Sequence, residues 1–289
     1  MKLKFWGTRG SIPVPGKNTV KYGGNTPCVQ ITANKNFTFI LDAGSGIREL
    51  GEELIRSRKF DDLKIFITHT HWDHIQGLPF FRPLYHTGFR VSIHSNVNNG
   101  MKIESIIDSQ MNPNFFPVSK DVFRSKVHFS KISANADYEY DGTVVSTLLS
   151  HHSKGTLAYK VRSNGKSVVY LTDNELIYDA EKDPSLEDIQ KWNEDLLSFV
   201  YNADYLIHDS TYKLSDFRPK IGWGHSNSVS AAMFAHLAGV KNLLLFHYDP
   251  IYTDKDVDEL FADSKKTLKK IGSHVNITAS RDNLEIDID

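Results

Sequence analysis

"ITHTHWDHIQG", residues 67–77, places His69, His71, Asp73 and His74 within six consecutive positions. Groups this polar lose hydration when crowded together, and they stay together only if a shared partner compensates. The run before them, "LKIFIT", is short and apolar and reads as a strand, so the cluster follows a strand end. In extended chain, His69 and His71 lie two apart and point the same way. Asp73 and His74 turn away with a helix that begins near Asp73. Two ligands in each of two directions suit two adjacent metal ions. Imidazole and carboxylate favour Zn²⁺, with Mn²⁺ and Fe²⁺ as alternatives. The helix N-terminus adds positive potential that attracts an anion.

A catalytic zinc ion usually has three protein ligands, so more donors are needed than this loop holds. Three further segments offer them, each beside an apolar run. "STLLSHHSKG" carries His151 and His152, "VVYLTDNE" carries Asp173, and "NLLLFHYDP" carries His247. A carboxylate can bridge two ions, so Asp173 could serve both.

With these segments in order, from Asp42 in "LDAGSG" through "HTHWDH", "SHHSKG" and "YLTD" to "FHYDP", the chain resembles the metallo-β-lactamase superfamily. It is most similar to the ribonuclease Z-like, cyclic phosphodiesterase branch, through "FWGTRGSIP", "YGGNTPC" and the histidine motif written here "GWGHSNS". The resemblance implies an α/β fold, a four-layer αββα sandwich with the metals at one edge. It implies that His69, His71 and His152 hold one divalent ion, that Asp73, His74 and His247 hold a second, and that Asp173 bridges them. Asp42 would order the loops beneath the metals, and His225 would contact the scissile phosphate or assist the leaving group. His152 is taken over His151 because "HSKGT" aligns with the family's "HPGGS"-like segment, although Ser153 and Lys154 depart from it. Asn227 stands where the branch commonly has threonine. Asp209, in "LIHDSTY", is the candidate partner that fixes the tautomer of His225.

The implied activity is dinuclear metal-dependent hydrolysis of a small phosphodiester such as a cyclic nucleotide. A hydroxide shared by the ions would attack, oriented by Asp73. Asp173 occupies the place of a cysteine in many true β-lactamases of the superfamily, which disfavours antibiotic hydrolysis. His71 occupies the place of a carboxylate in its diiron members, which disfavours redox chemistry. Two other readings remain at this stage: a hydrolase acting on a carbon electrophile (lactone, thioester or isothiocyanate), and a non-catalytic zinc-binding scaffold.

Bulk properties set the remaining expectations. The 289 residues are 40% hydrophobic and 24% charged, ordinary for a globular protein. A net charge of −1, with no long basic Gly/Pro-rich arm, leads to the expectation of a small-molecule partner and no large nucleic acid. No membrane association is expected, and the branch suggests a homodimer. The single Cys28 excludes an intrachain disulfide and a cysteine-rich zinc site. The N-terminus, "MKLKFWGTRGSIP", lacks an apolar leader, so a cytoplasmic location is expected.

One domain over 1–289 is expected, with a lid over about 95–122 that carries Phe115 and Phe116. Asn164-Gly165 marks a hairpin turn. "SLEDIQKWNEDLLSFVYN" reads as one helix, and "TDKDVDELFADSKKTLKKIG" as another, capped by Thr253 and ended by Gly272. Arg9 and Asn25, in glycine-rich loops, are weaker candidates for substrate contact. His86, His94, His128, His236 and His274 lack partners at ligand spacing, and His208 stands beside Asp209 after an apolar strand.

Overall fold

Strands in this chain end where polar chemistry begins, and that places Asp42, Asp173, Asp209 and His247. The computed structural model describes residues 1–96 and 101–289, so positions 97–100 of the expected lid lie outside the described residues. The chain divides into two compact units. One comprises Met1–Val14, Gly23–Ala134 and Arg281–Asp289, and the other Pro15–Tyr22 and Asn135–Ser280.

The first unit is built on β1 (Lys2–Gly7), β2 (Cys28–Thr32), β3 (Phe37–Leu41), β4 (Asp62–Ile67), β5 (Arg90–Ser95) and β6 (Lys126–Lys131). They lie side by side in that order, and the last strand, Glu285–Asp287, pairs with the outer edge of β1. β1 to β3 are antiparallel, whereas β3 to β6 are parallel. β3 is buried at every position, as a strand covered on both faces must be. α1 (Ile47–Ser57) supplies the crossover from β3 to β4 and buries Ile47, Leu50 and Leu54, the apolar spacing of its sequence. α2 is a single turn, Trp72–Ile75, and α3 spans Ile103–Gln110. Ile103, Ile107 and Met111 join the core of this unit, which anchors that part of the 95–122 stretch.

The second unit contains β7 (Asp137–Tyr140), β8 (Thr143–Leu149), β9 (Leu157–Ser163), β10 (Lys166–Leu171), β11 (Tyr205–Asp209), β12 (Asn242–Phe246) and β13 (Asn276–Ala279), neighbours in that order. β7 to β10 are antiparallel and β10 to β13 parallel. Asn164 and Gly165 both take positive φ at the β9–β10 turn, as the Asn-Gly signal requires. The expected single helix over 185–202 is two, α4 (Leu186–Trp192) and α5 (Glu194–Val200). Asn193 breaks it because its buried amide is committed elsewhere. Its Nδ2 donates to the carbonyls of Ile177 and Ile189, and its oxygen accepts from Ile177 N–H. α6 (Leu214–Phe217) and α7 (Ser228–Leu237) follow, then α8 (Asp254–Lys270). Thr253 and Asp256 cap α8 reciprocally, and Gly272 lies beyond its end at positive φ. Among the described residues, no helix is long and apolar enough to cross a membrane.

Asp282, in the closing segment of the first unit, gives a pH-dependent contribution. Its Oδ2 accepts from both N–H and Nδ2 of Asn25, while Oδ1 is shielded from solvent with no hydrogen-bond partner among the described residues. Burial, outweighing the Asn25 hydrogen bonds, pushes this carboxyl up to about 6. Between its ordinary value near 4 and about 6, the folded protein holds a proton that the unfolded chain has released, so stability falls as pH rises through that window. Asp282→Asn keeps the acceptor facing Asn25. Its thermal unfolding is expected to lose this pH 4–6 slope and to gain up to about 3 kcal/mol at pH 7 relative to the parent.

Candidate metal centre and its histidine–aspartate dyad

In the first unit, β3 and β4 are parallel neighbours with Leu41 opposite Phe66, so their carboxyl ends emerge side by side. Such strand ends are where open parallel sheets collect functional groups. Asp42 follows β3 directly and is fully buried. Its carboxylate accepts from Thr68 N–H at 2.8 Å, from Thr68 Oγ1–H at 3.0 Å and from His74 Nδ1–H at 2.8 Å. Because a carboxylate only accepts, the proton of His74 sits on Nδ1, and Nε2 presents a lone pair. That Nε2 lies 3.3 Å from Asp73 Oδ2. The His69 ring is 4.3 Å from the His71 ring and 4.4 Å from that of His74, centre to centre. Ser11 N–H donates to Asp73 Oδ2 at 2.7 Å, which orients that carboxylate.

The loop around these groups is held by backbone pairing. Ala43 N–H donates to His74 carbonyl, and Gly77 N–H to Ala43 carbonyl. Gly44 sits in this seam, where a β-carbon would lie 2.3 Å from the Asp73 carbonyl oxygen and 2.5 Å from Thr26 Oγ1. Gly44→Ala is therefore expected to cost about 1–3 kcal/mol, seen as a lower urea midpoint at unchanged slope.

The second unit repeats the logic with different residues. Asp173 follows β10, Asp209 ends β11, and His247 follows β12. Asp42, Asp173 and His247 all have positive φ, at 61°, 48° and 65°. A left-handed conformation costs a non-glycine residue roughly 1–2 kcal/mol, and each of these turns the chain sharply off its strand. His247 Nε2 lies 3.2 Å from Asp173 Oδ1, and its Nδ1 lies 3.2 Å from Thr211 Oγ1. His152 Nδ1 donates to the carbonyl of Gly224 at 2.8 Å, so its Nε2 lone pair points out, 3.6 Å from Asp173 Oδ2. His152 thus joins the Asp173 group, while His151 belongs to none of the His/Asp groups among the described residues.

His225 Nδ1 donates to Asp209 Oδ2 at 2.7 Å, the pairing expected of them. Asp209 is fully buried and also accepts from Thr211 N–H and Oγ1–H, Ser226 N–H and Asn174 N–H. Burial pushes its carboxyl up, but the charge and hydrogen bond of His225, with the charge of His247, outweigh it and hold the group below the usual carboxylate range. The His225 ring stacks on that of His247, 5.0 Å apart and 17° from parallel, and is 4.9 Å from that of His152.

Imidazole Nε2 atoms face carboxylate oxygens at His74–Asp73, His152–Asp173 and His247–Asp173. With each Nδ1 already engaged, lone pairs face negative oxygens, and a cation relieves that repulsion. The donor set, neutral nitrogens with carboxylates, therefore fits a divalent metal ion.

Arg9 is fully buried, with Nε donating to Gly23 carbonyl, and Asn25 is engaged by Asp282 and Ser45. Phe116 packs on Phe80, whereas Phe115 is exposed. His208 is buried, and His94 stacks on Phe66, its ring pushed down to about 4 chiefly by burial. Thr68, Thr211 and Gly224 went unread as functional residues. A hydroxyl one or two positions past an apolar run and a glycine directly before His225 were the available signals.

Sheet ends, left-handed aspartates and His/Asp donors of this kind define a class, the metal-dependent hydrolases. The chain belongs to the β-lactamase superfamily domain family, whose model matches residues 38–248. Among curated proteins, ribonuclease Z of Picrophilus torridus is 27% identical, over 88% of this chain and 87% of that protein. Ribonuclease Z of Streptococcus suis is 28% identical, over 94% of this chain and 96% of that protein. The crystal structure of human tRNase Z, short form, superposes over the full length of both chains with a TM-score of 0.65 at 20% identity, which establishes the shared fold.

These relatives correct one expectation. The exclusion of a large nucleic acid as partner is overturned, because the relatives are ribonucleases and one is named for transfer RNA. Net charge was the wrong measure. Phosphates are neutralised by local donors, and a chain near neutrality overall can still present them.

Proposed function

We propose that this protein is a metal-dependent phosphodiesterase that cleaves RNA. The observation that carries the reading is the His225–Asp209 dyad, an imidazole held by a buried carboxylate at 2.7 Å beside the Asp173–His247 donors. Hydrolysis at a carbon centre has no evident use for it. Relatedness to ribonuclease Z supports the same assignment.

In this reading His69, His71, His152, Asp73, His74, His247 and Asp173 would hold two divalent ions, zinc by preference of the donor set. Bound, the ions supply Lewis-acid stabilisation of phosphoryl charge and lower the pKa of water. Asp209 keeps the Nδ1 proton of His225 in place and stabilises the charged imidazolium, so Nε2 can deliver a proton to the leaving oxygen. Such general-acid assistance is typically worth 10²–10⁴-fold. Asp42 and the Gly224 carbonyl hold His74 and His152 with their Nε2 atoms deprotonated.

The alignment with the Streptococcus suis enzyme runs over 313 positions, more than the 289 residues of this chain, so that relative has segments this chain lacks. RNA recognition here would rely on fewer elements. The test is metal analysis followed by a substrate panel: a transfer-RNA transcript, single-stranded RNA, a cyclic nucleotide, bis(p-nitrophenyl) phosphate, a thioester and a lactone. Cleavage of RNA together with the chromogenic diester is expected. Turnover of thioester or lactone, with every phosphodiester untouched, would sink the proposal.

A further inference from the structure

The loop that leads into His225 is fastened at successive residues. Lys213 Nζ reaches Asp256 at 2.8 Å, Arg218 Nη2 donates to Glu181 carbonyl at 2.6 Å, and Lys220 Nζ reaches Asp249 at 2.9 Å. Its inner end, Gly222–Gly224, rests on Glu175. Oε1 accepts from Gly222 N–H and Oε2 from Gly224 N–H, both at 2.7 Å. Both glycines have positive φ, 84° and 82°. At Gly224 a β-carbon would also lie 2.3 Å from His152 Nδ1, so only glycine fits.

Glu175 stands two residues past Asp173, and its own N–H donates to His151 carbonyl at 2.8 Å. Gly224 carbonyl in turn accepts from His152 Nδ1. These bonds close a ring: Glu175 N–H to His151 carbonyl, along the backbone to His152, its Nδ1–H to Gly224 carbonyl, and Gly224 N–H back to the Glu175 carboxylate. The ring joins the three segments that carry His152, Asp173 and His225. Glu175 is absent from every His/Asp donor group among the described residues, so it acts through others.

We propose that Glu175 is a positioning residue: its carboxylate holds the Gly222–Gly224 loop so that the Gly224 carbonyl fixes His152 in the Nδ1–H tautomer, with Nε2 ready for a metal ion. The metal part of this statement rests on the reading of His152 as a ligand. Removing the carboxylate leaves two convergent N–H donors with no acceptor between them. The loop then relaxes, Gly224 carbonyl shifts, and His152 is free to exchange tautomers. Gln can accept only one of the two bonds well, since its amide nitrogen would face the other N–H.

The test uses the full chain. Zn²⁺ affinity is measured by competition with a chromophoric chelator, and the His152 tautomer by ¹⁵N NMR of the metal-free protein near pH 7.5. Glu175→Ala is expected to weaken Zn²⁺ binding 10- to 100-fold and to mix the His152 tautomers, with Glu175→Gln between it and the parent. Thermal melts check folding, and Glu175→Gln carries the comparison if the alanine variant is unfolded. Unchanged Zn²⁺ affinity and an unchanged His152 tautomer in a folded variant would overturn the proposal. If the parent binds no Zn²⁺ while the variants still mix tautomers, the positioning role stands and the metal reading falls.

Discussion

His225→Ala is expected to keep the divalent metal content of the parent and to lose 10²–10⁴-fold in kcat for phosphodiester cleavage. The expectation follows from position. His225 Nδ1 is engaged by Asp209 at 2.7 Å, and its ring stacks on His247 without being needed to orient that residue, whose Nδ1 faces Thr211. The loss should shrink with substrates whose leaving group is already a weak base. A p-nitrophenolate needs little protonation, so bis(p-nitrophenyl) phosphate should suffer much less than RNA, whose leaving alkoxide needs it most. Asp209→Asn should follow the same pattern, since the amide cannot stabilise an imidazolium as a carboxylate does. Metal content by mass spectrometry and kcat with both substrates check this. A variant stripped of metal, or one that loses both substrates equally, would make His225 part of the metal shell or scaffold.

Asp42→Ala is expected to destabilise the folded protein by about 3–5 kcal/mol, measured by urea unfolding. One carboxylate accepts from Thr68 N–H, Thr68 Oγ1–H and His74 Nδ1–H in a fully buried position. Alanine leaves the two N–H donors buried without an acceptor, at roughly 1–3 kcal/mol each. It also places a residue less tolerant of φ 61° there. Asp42→Asn separates stability from chemistry. Asparagine tolerates the backbone and can accept from Thr68, so most stability should remain. Its amide nitrogen would face His74 Nδ1 and favour the opposite tautomer, which puts the proton on Nε2. Metal affinity should then fall 10- to 100-fold with little change in the urea midpoint. An alanine variant within about 0.5 kcal/mol of the parent would show that this buried network contributes nothing to stability, which is the range of an ordinary surface substitution.

The donor residues were readable because each follows an apolar run, and a strand that stops at a polar cluster looks the same in one dimension as in three. Thr253 and Asn164-Gly165 were readable for a similar reason, since their chemistry is local. What escaped was set by distant partners. Glu285–Asp287 pairs with β1, and Met1 amino donates to Ile288 carbonyl across nearly the whole chain, which no short polar segment advertises. Asn193 splits a helix through contacts to Ile177, sixteen residues earlier. Glu175 was quoted in "VVYLTDNE" without a role, because its partners are two backbone N–H groups with no side chains to signal them. The partner class was misread on net charge, a sum that says nothing about where individual charges stand.

The positive φ angles at Asp42, Asp173 and His247 bear on how knockouts of this centre should be read. A side chain and a backbone shape are removed together when such a residue is replaced, and only some replacements leave the shape untouched. Asparagine or glycine at 173 or 247 isolates the lost donor, because both accept a left-handed turn. Valine or isoleucine would add a distorted strand exit, and the phenotype would then belong to two lesions at once. A mutational scan of these three positions should therefore rank by torsional tolerance before it ranks by charge.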